Sequence, residues 1–553
     1  MLSSICRAFL YYTLCAQLAY AVDPLVKLPY SEFAGTVQSN GITQWLGIPF
    51  AAPPIGELRF APPSDPPIKT GVQQADKLPV FIFFQGGGFN SNANPNLNGA
   101  GLIEASGHNI IVVTFNYRVG PWGFLASSGS SSGQPTANNG LRDQRKALEW
   151  VQKYISSFGG DPNHVVLGGD SAGAASISLH LTAYGGRNDN LFHAAAVESV
   201  SFATVLTTKE AQYQYDNFTR AGGCSDSDAA KSLSCLRSKT AQQLQAQNFN
   251  IPYPGQAKAP LYMFAPTLDG DFVTDLTYTA FEKGKFIDVP VIFGADTNDG
   301  TGFTPKDTSS QEQSNAFLTQ QFPYLTASQL SEIDRLYPVP TGNDCPASGT
   351  CWWRQVSNAY GELRYMCPSL YISSAYANLT TTSSNTKKDT TSNSIKAVTY
   401  FVGGGSARRH AGSASNSLST RATKSASYAY RYNVEDPDQI AAGLGVPHTV
   451  ELNAIFGPDN VPAGSAPASY YPGKSNANVV PVIQAYWTSF IRTFDPNTHK
   501  LSGSATWETY YSKSGEPQRI LFNTGGKTDM ESVDKGQRVR CAYLQSIGAS
   551  IKQ

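Results

Sequence analysis

The sequence predicts an α/β fold with a largely parallel central sheet flanked by helices. Short apolar runs rich in β-branched and aromatic residues alternate with longer amphipathic stretches, an alternation typical of parallel sheets. No change in composition marks a linker before the late 370s, so residues 22–553 are expected to form one domain. The predicted strands are Val80–Phe84, Ile110–Phe115, Val165–Leu167, Val289–Phe293 and Tyr428–Val434, and the predicted helices are Leu141–Phe158 and Val479–Phe494.

The strand that begins at Val165 leads into a serine between two glycines, which predicts a nucleophile elbow. In V-V-L-G-G-D-S-A-G-A-A-S-I-S-L-H-L, small residues on both sides of Ser171 let the backbone crowd around a tight strand-to-helix turn. A second Gly-x-Ser-x-Gly pattern surrounds Ser131, but no apolar run precedes it and no helical pattern follows it. Ser171 is therefore the candidate nucleophile, and Ser131 is interpreted as a chance match.

The strand Val80–Phe84 is followed by Gln85 and then by three glycines. Glycine permits backbone N–H groups to approach a substrate oxygen closely, as an oxyanion hole requires. Gly87, Gly88 and Ala172, the residue after the candidate nucleophile, are therefore the predicted donors. A flexible glycine turn without a catalytic role is the alternative interpretation.

A serine nucleophile needs a neutral imidazole to take its proton and a carboxylate to orient that imidazole. His448 lies in G-L-G-V-P-H-T-V-E-L-N-A-I-F-G, a loop shaped by glycine and proline that follows a predicted strand. Asp299 lies in the loop after the strand Val289–Phe293, where α/β proteins place functional groups. The chain order serine, acid, histidine is that of the α/β hydrolases. A structural role for His448 is the alternative, and Asp296 and Glu451 compete with Asp299 for the acid.

The first 21 residues have the pattern of a signal peptide. Arg7 ends a short basic start, residues 8–18 are largely apolar, and Ala19-Tyr20-Ala21 provides a cleavage site. An N-terminal membrane anchor is the alternative. Because no later segment is long and apolar enough to span a bilayer, the protein is expected to be secreted and extracellular, without integral membrane association.

The charge balance restricts the partners. The chain has 41 basic and 41 acidic residues, so it lacks the basic excess of proteins that bind nucleic acid, and small or neutral partners are expected. A segment at residues 380–427 is rich in Ser, Thr, Asn, Lys and Gly, and its composition predicts a low-complexity insertion that buries no core.

Six cysteines remain once the signal peptide has been removed, and an exported chain meets an oxidising compartment. Cys224 and Cys235 enclose a short polar loop and are predicted to form a disulfide. Two N-x-[ST] sequons predict glycosylation at Asn217 and Asn378. The other four cysteines could form two further disulfides of undetermined pairing or remain free thiols: Cys345, Cys351, Cys367 and Cys541.

Three longer stretches carry a family resemblance: W-L-G-I-P-F-A-A-P-P-I-G-E-L-R-F from Trp45, F-N-Y-R-V-G-P-W-G-F-L from Phe115, and N-G-L-R-D-Q-R-K-A-L-E-W-V-Q-K-Y-I-S-S-F-G-G-D-P from Asn139. The chain resembles the type B carboxylesterase/lipase family, the cholinesterase-like group of α/β hydrolases, and most closely its secreted fungal lipases. The resemblance implies a serine carboxylic-ester hydrolase that acts on small-molecule or lipid esters through an acyl-enzyme. It implies Ser171 as nucleophile, His448 as base and Asp299 as acid, with no cofactor or metal.

The sequence departs from the family pattern in several places. The family usually has glutamate where Asp170 and Asp299 stand, and often has histidine at Gln85. Between Phe60 and Lys77 it normally carries several dozen more residues, including a cysteine-closed loop that acts as a lid in the lipases and one strand of the sheet. Either this chain is a lidless variant, or it comes from an incomplete gene model. The alternatives to an active esterase are a non-catalytic cholinesterase-like binding protein or an inactive product that lacks the lid and strand.

Overall fold

An eight-stranded sheet forms the centre of the fold in the computed structural model, which describes residues 23–66, 77–92, 97–128, 135–378, 425–511 and 515–553. The strands are β1 (Leu25–Leu28), β2 (Ser31–Ala34), β3 (Thr36–Val37), β4 (Thr43–Gln44), β5 (Leu78–Phe84), β6 (Ile111–Phe115), β7 (Gly160–Asp170), β8 (Ala194–Glu198), β9 (Leu206–Thr207), β10 (Thr267–Leu268), β11 (Val291–Asp296), β12 (Ser427–Asn433), β13 (Gln518–Asn523) and β14 (Lys527–Ser532). The central sheet has the order β14-β13-β12-β11-β8-β7-β5-β6, and its neighbouring strands are parallel except for the antiparallel pair β13 and β14.

Helices lie between the strands and cover both faces of the sheet. They are α1 (Ala100–Ala105), α2 (Gly120–Phe124), α3 (Asn139–Tyr154), α4 (Ser171–Gly186), α5 (Thr208–Ala221), α6 (Ala229–Ser238), α7 (Ala241–Gln245), α8 (Thr277–Glu282), α9 (Gln311–Gln321), α10 (Ala327–Leu336), α11 (Cys351–Gly361), α12 (Cys367–Asn378), α13 (Pro437–Ala441), α14 (Leu452–Ile455), α15 (Val479–Thr493) and α16 (Lys535–Gly548). A π-helical turn, Glu362–Met366, joins α11 to α12. The predicted fold class is therefore confirmed, and each predicted strand and helix is present with its ends shifted by a few residues.

Strand β5 is apolar at nearly every position because helices cover both of its faces. Val80, Ile82 and Phe84 point into a core shared with α4, whereas Phe81 and Phe83 point into the opposite core, which includes residues of α15. All five side chains are at most 3 % exposed. This two-sided burial is typical of parallel strands and holds the glycine loop that follows β5 on a rigid base.

Strand β6 is the last strand at one edge of the sheet, and within the described residues no strand pairs with its outer side. Four of its five side chains are only partly buried. The junction between Phe60 and Lys77, where the family pattern carries a further strand, precedes β5 in the chain. The exposed edge is consistent with the shorter junction.

Three disulfides link the described cysteines. Cys224 and Cys235 are bonded, as the short polar loop between them predicts. The four cysteines whose pairing was left open form Cys345–Cys351 and Cys367–Cys541. Among the described residues, no helix is long and apolar enough to cross a membrane.

Several sequence-based predictions remain predictions. Asn217 lies half-buried on α5, and its glycosylation is untested. The side chains of Asn378 and Ser131 lie outside the described part of the chain. The same holds for the predicted signal peptide and for nearly all of the predicted insertion at 380–427.

Candidate active site

Ser171 lies at the turn between β7 and α4, at the carboxyl edge of the parallel sheet. Its φ of +51° is in the left-handed region, which is strained for a residue with a side chain and is expected at a nucleophile elbow. The two flanking residues, Gly169 and Gly173, must be glycine because there is no room for a Cβ at either position. A Cβ on Gly169 would lie 2.8 Å from the carbonyl oxygen of Phe84, and one on Gly173 would lie 1.9 Å from the same atom. Helix α4 therefore starts directly against the end of β5, and Ser171 is only 8 % exposed.

The glycine loop after β5 passes beside the elbow. The Gly86 N–H donates to Asp170 Oδ1 at 2.7 Å, and a Cβ on Gly86 would lie 3.1 Å from Cβ of Ser171. Gly87 and Gly88 have φ values of +104° and +61°, conformations that glycine adopts without strain. Within the described residues, the N–H groups of Gly87 and Gly88 have no hydrogen-bond acceptor. The N–H of Ala172 belongs to the first turn of α4, where no helix carbonyl can accept it.

Asp170 is the side chain that connects the elbow to the glycine loop. Burial raises the pKa of its carboxyl group to about 6, and the opposing effects are the charge of His448 and the hydrogen bond from Gly86. Near neutral pH the carboxylate is ionised and can accept the Gly86 N–H. The shorter aspartate thus occupies the family's usual glutamate position with a direct contact to the loop.

Asn90 fixes the other side of the glycine loop. Its Nδ2 donates to the carbonyl oxygens of Gly88 and Phe264, both at 2.6 Å, and its Oδ1 accepts from the Phe264 N–H at 3.1 Å. Gln85, at the family's frequent histidine position, donates to Asn92 at 2.7 Å. Hydrogen bonds to Asp170 on one side and to Asn90 on the other therefore fix the part of the loop that carries the free N–H groups.

His448 is bonded to Asp299. Its Nδ1 lies 2.7 Å from Asp299 Oδ1, so the Nδ1–H can donate to a carboxylate that is completely buried. The His448 Nε2 is buried and has no hydrogen-bond partner among the described residues. The rings of Tyr365 and Phe303 pack against the imidazole, with centroid distances of 4.2 and 5.1 Å. These contacts fix the ring orientation and leave Nε2 available as a base.

The other two acidic candidates make different contacts. Asp296 accepts the Thr449 N–H at 2.6 Å, and Glu451 accepts the Tyr430 hydroxyl at 2.8 Å. Their other oxygens, Asp296 Oδ1 and Glu451 Oε2, are buried with no hydrogen-bond partner among the described residues, and an attraction between the two carboxyl groups requires a proton on one of them. Burial, followed by repulsion from neighbouring carboxylates, raises the pKa of Asp296 well above its usual range. Neither group is hydrogen-bonded to the imidazole, whose carboxylate partner is Asp299.

Two supporting residues, Ser199 and Tyr365, are not among the residues predicted from the sequence. Ser199 Oγ donates to Asp299 Oδ2 at 3.2 Å and lies directly after β8. A serine at the carboxyl end of a parallel strand is a signal that could have been noticed, since such ends meet at one edge of the sheet. Tyr365 lies in the π-helical turn, and no local pattern marks its contact with His448.

The fold that positions Ser171, His448 and Asp299 is matched in a known protein family. The family model described as "Carboxylesterase family" matches residues 22–78 and 67–541, so the chain belongs to the carboxylesterase family. It is a serine hydrolase that acts on carboxylic esters, with an α/β-hydrolase fold. The family resemblance inferred from the sequence is confirmed.

Individual relatives span most of the chain. The crystal structure of Aspergillus niger EstA is 34 % identical, covers 96 % of this chain and 99 % of its own, and has a TM-score of 0.80. Secreted lipase 4 of Gibberella zeae is 25 % identical over 92 % of each chain. The fumonisin B1 esterase of Sphingopyxis macrogoltabida is 31 % identical over 64 % of this chain and 69 % of its own. Relatives of this kind do not favour the non-catalytic and inactive alternatives.

Proposed function

We propose that Ser171, His448 and Asp299 hydrolyse carboxylic esters through an acyl-enzyme intermediate. The observation that carries this proposal is the 2.7 Å contact between His448 and Asp299, together with the unpartnered Nε2 of the same imidazole. The strained φ of Ser171 supports its role as the nucleophile. These groups supply the base, the acid and the nucleophile of acyl transfer.

In the proposed acylation step, Ser171 Oγ attacks the ester carbonyl carbon while its proton passes to His448 Nε2. The carbonyl oxygen becomes an oxyanion, which accepts hydrogen bonds from the N–H groups of Gly87, Gly88 and Ala172. The imidazolium then gives its proton to the leaving alcohol as the carbon–oxygen bond breaks. Asp299 remains ionised and stabilises the imidazolium.

Deacylation repeats the sequence with water. His448 takes a proton from the water, the hydroxide attacks the acyl carbon, and the returned proton restores Ser171 as the carboxylic acid leaves. The ester, water and the three side chains supply every proton that moves and every bond that forms or breaks. No metal or cofactor is needed for these steps.

We further propose that the protein works outside the cell on small-molecule or lipid esters, with no nucleic-acid partner. Three disulfides and the name of the Gibberella zeae relative, a secreted lipase, support an extracellular location. The balanced charge gives no support to binding of a polyanion.

The proposal is tested by ester hydrolysis with two serine variants. Ser171→Ala should abolish hydrolysis of p-nitrophenyl butyrate, whereas Ser131→Ala, the matched control in the other Gly-x-Ser-x-Gly pattern, should retain it. Both variants should melt at the temperature of the parent, because each removes one hydroxyl group. Parent-like turnover by a folded Ser171→Ala protein would refute the assignment.

A further inference from the structure

Arg364 is a buried cation without an anionic partner. Two arginines are buried among the described residues, Arg364 at 4 % and Arg519 at 6 % exposure. The Arg519 Nε donates to Glu531 at 2.6 Å, as expected because a buried charge without a counter-ion is costly. No carboxylate of a described residue forms an ion pair with Arg364, whose side chain contacts a serine hydroxyl and three tyrosine rings.

The neighbours of Arg364 compensate its charge only in part. The Nε donates to Ser201 Oγ at 2.9 Å, and the guanidinium carbon lies 5.7 to 5.9 Å from the ring centroids of Tyr262, Tyr360 and Tyr365. Aromatic faces attract a cation, but less strongly than a carboxylate does in a dehydrated site. A guanidinium has five N–H donors, so it retains capacity for an anion.

Three of these contacts place Arg364 beside the proposed catalytic groups. The Ser201 N–H donates to the carbonyl oxygen of Ser171 at 3.2 Å. The Tyr365 ring packs on His448, and the Tyr262 ring lies 2.4 Å from where a Cβ on Gly88 would be. The Tyr365 ring therefore contacts both the guanidinium and the imidazole, and the Tyr262 ring lies near both the guanidinium and Gly88 of the proposed oxyanion hole.

The backbone around Arg364 is also unusual. It lies in the π-helical turn Glu362–Met366, and such turns occur often at functional sites. The Arg364 carbonyl oxygen accepts the N–H of Phe202, next to Ser201. The π-helical turn thus places the Arg364 guanidinium beside Ser201, whose backbone N–H is hydrogen-bonded to the carbonyl oxygen of Ser171.

We propose that Arg364 binds a carboxylate on the acyl part of the substrate, so that the preferred substrates are monoesters of dicarboxylic acids. This inference rests on the proposed function and specifies its substrate class. The second carboxylate takes no part in bond making or breaking. It would supply the negative charge that the buried guanidinium lacks, and it would orient the ester carbonyl toward Ser171.

The test compares ethyl pentanoate with monoethyl glutarate, which has the same number of acyl carbons and one added carboxylate. Release of acid is followed by pH-stat titration, and monoethyl succinate and monoethyl adipate establish the preferred length. The parent should show a kcat/KM for the best monoester about 10- to 100-fold above that for the matched neutral ester, the range expected for a hydrogen bond to a charged group. Arg364→Gln should remove this preference, and Arg364→Lys should retain part of it.

Arg519→Gln is the matched control, because it removes the other buried guanidinium, which is already paired with Glu531, and it should keep the preference. Glutarate itself should raise the melting temperature of the parent and not that of Arg364→Gln, which tests binding without turnover. If Arg364→Gln does not fold, two measurements on the parent still test the inference: the kcat/KM values of the monoesters of different length, and the change in melting temperature with glutarate. Equal use of neutral esters and monoesters, with no shift by glutarate, would overturn the inference and leave the proposed function intact. Absence of all Ser171-dependent turnover would overturn both.

Discussion

Among single residues, Asp299 and Asp296 form a natural comparison, because both are buried carboxylates near His448 and, of the two, Asp299 is the one hydrogen-bonded to the imidazole. We expect Asp299→Asn to lower kcat by roughly 10⁴, the loss seen when the acid of a trypsin-type triad is neutralised in this way. Asp296→Asn keeps an oxygen that can accept the Thr449 N–H, so its loss should be much smaller. Steady-state kinetics on one ester with both variants makes the comparison. A larger loss for Asp296→Asn would reassign the acid.

The Asp296 and Glu451 pair makes stability depend on pH. Burial raises the pKa of both carboxyl groups, so the folded protein keeps a proton that the unfolded chain releases above about pH 4. Because the folded state then binds more protons, the free energy of unfolding falls as pH rises, until the folded pair itself ionises. The slope from one such proton is about 1.4 kcal/mol per pH unit.

Glu451→Gln should flatten this pH dependence. The glutamine amide can donate permanently to Asp296 and its oxygen can still accept the Tyr430 hydroxyl, so the shared proton is no longer required. Urea unfolding at several pH values between 5 and 7 measures the effect. The variant should lose less stability than the parent as pH rises over this range, and parallel pH profiles would contradict a shared proton.

At the scale of elements, the contact between α4 and β5 positions both the elbow and the glycine loop. Gly173→Ala would place a Cβ 1.9 Å from the Phe84 carbonyl oxygen, so α4 must shift away from β5. We expect a loss of about 1–3 kcal/mol in the free energy of unfolding, together with reduced activity.

Gly302→Ala is the control for this prediction, because no atom beyond its chain neighbours lies within 4 Å of a Cβ there and its φ is not positive. Thermal or urea unfolding of the two alanine variants gives the comparison. Equal stability of both proteins would mean that α4 can move relative to β5 without cost.

For the molecule as a whole, the disulfides differ in how much chain they enclose. Cys367–Cys541 joins α12 to α16 across 174 positions, whereas Cys345–Cys351 spans 6. Loop entropy alone predicts that a disulfide stabilises by about 5 kcal/mol in the first case and about 2 kcal/mol in the second. Replacing each pair by serine and measuring urea unfolding should show the larger loss for the long-range bond. A greater loss for Cys345–Cys351 would show that local structure outweighs chain entropy.

Local sequence patterns predicted the features formed by neighbouring residues, but they did not predict the long-range contacts of this protein. The elbow at Ser171 and the glycine loop were predictable because a strand, small residues and a turn lie next to one another in the chain. Arg364 and Tyr365 were not, because their partners lie on distant elements and no period or motif marks them, whereas Ser199 is marked only by its place directly after β8. The pairing of Cys367 with Cys541 likewise depends on how α12 packs against α16.

The central claim is that Ser171 is an activated nucleophile, and covalent labelling tests it most directly. A fluorophosphonate forms a bond to a serine only where a base removes the hydroxyl proton and donors stabilise the charged oxygen. Intact mass spectrometry of the parent should show one adduct per chain, and peptide mapping should locate it at Ser171, with no adduct on Ser171→Ala or His448→Ala. An adduct on another serine, or none on folded parent protein, would contradict the account.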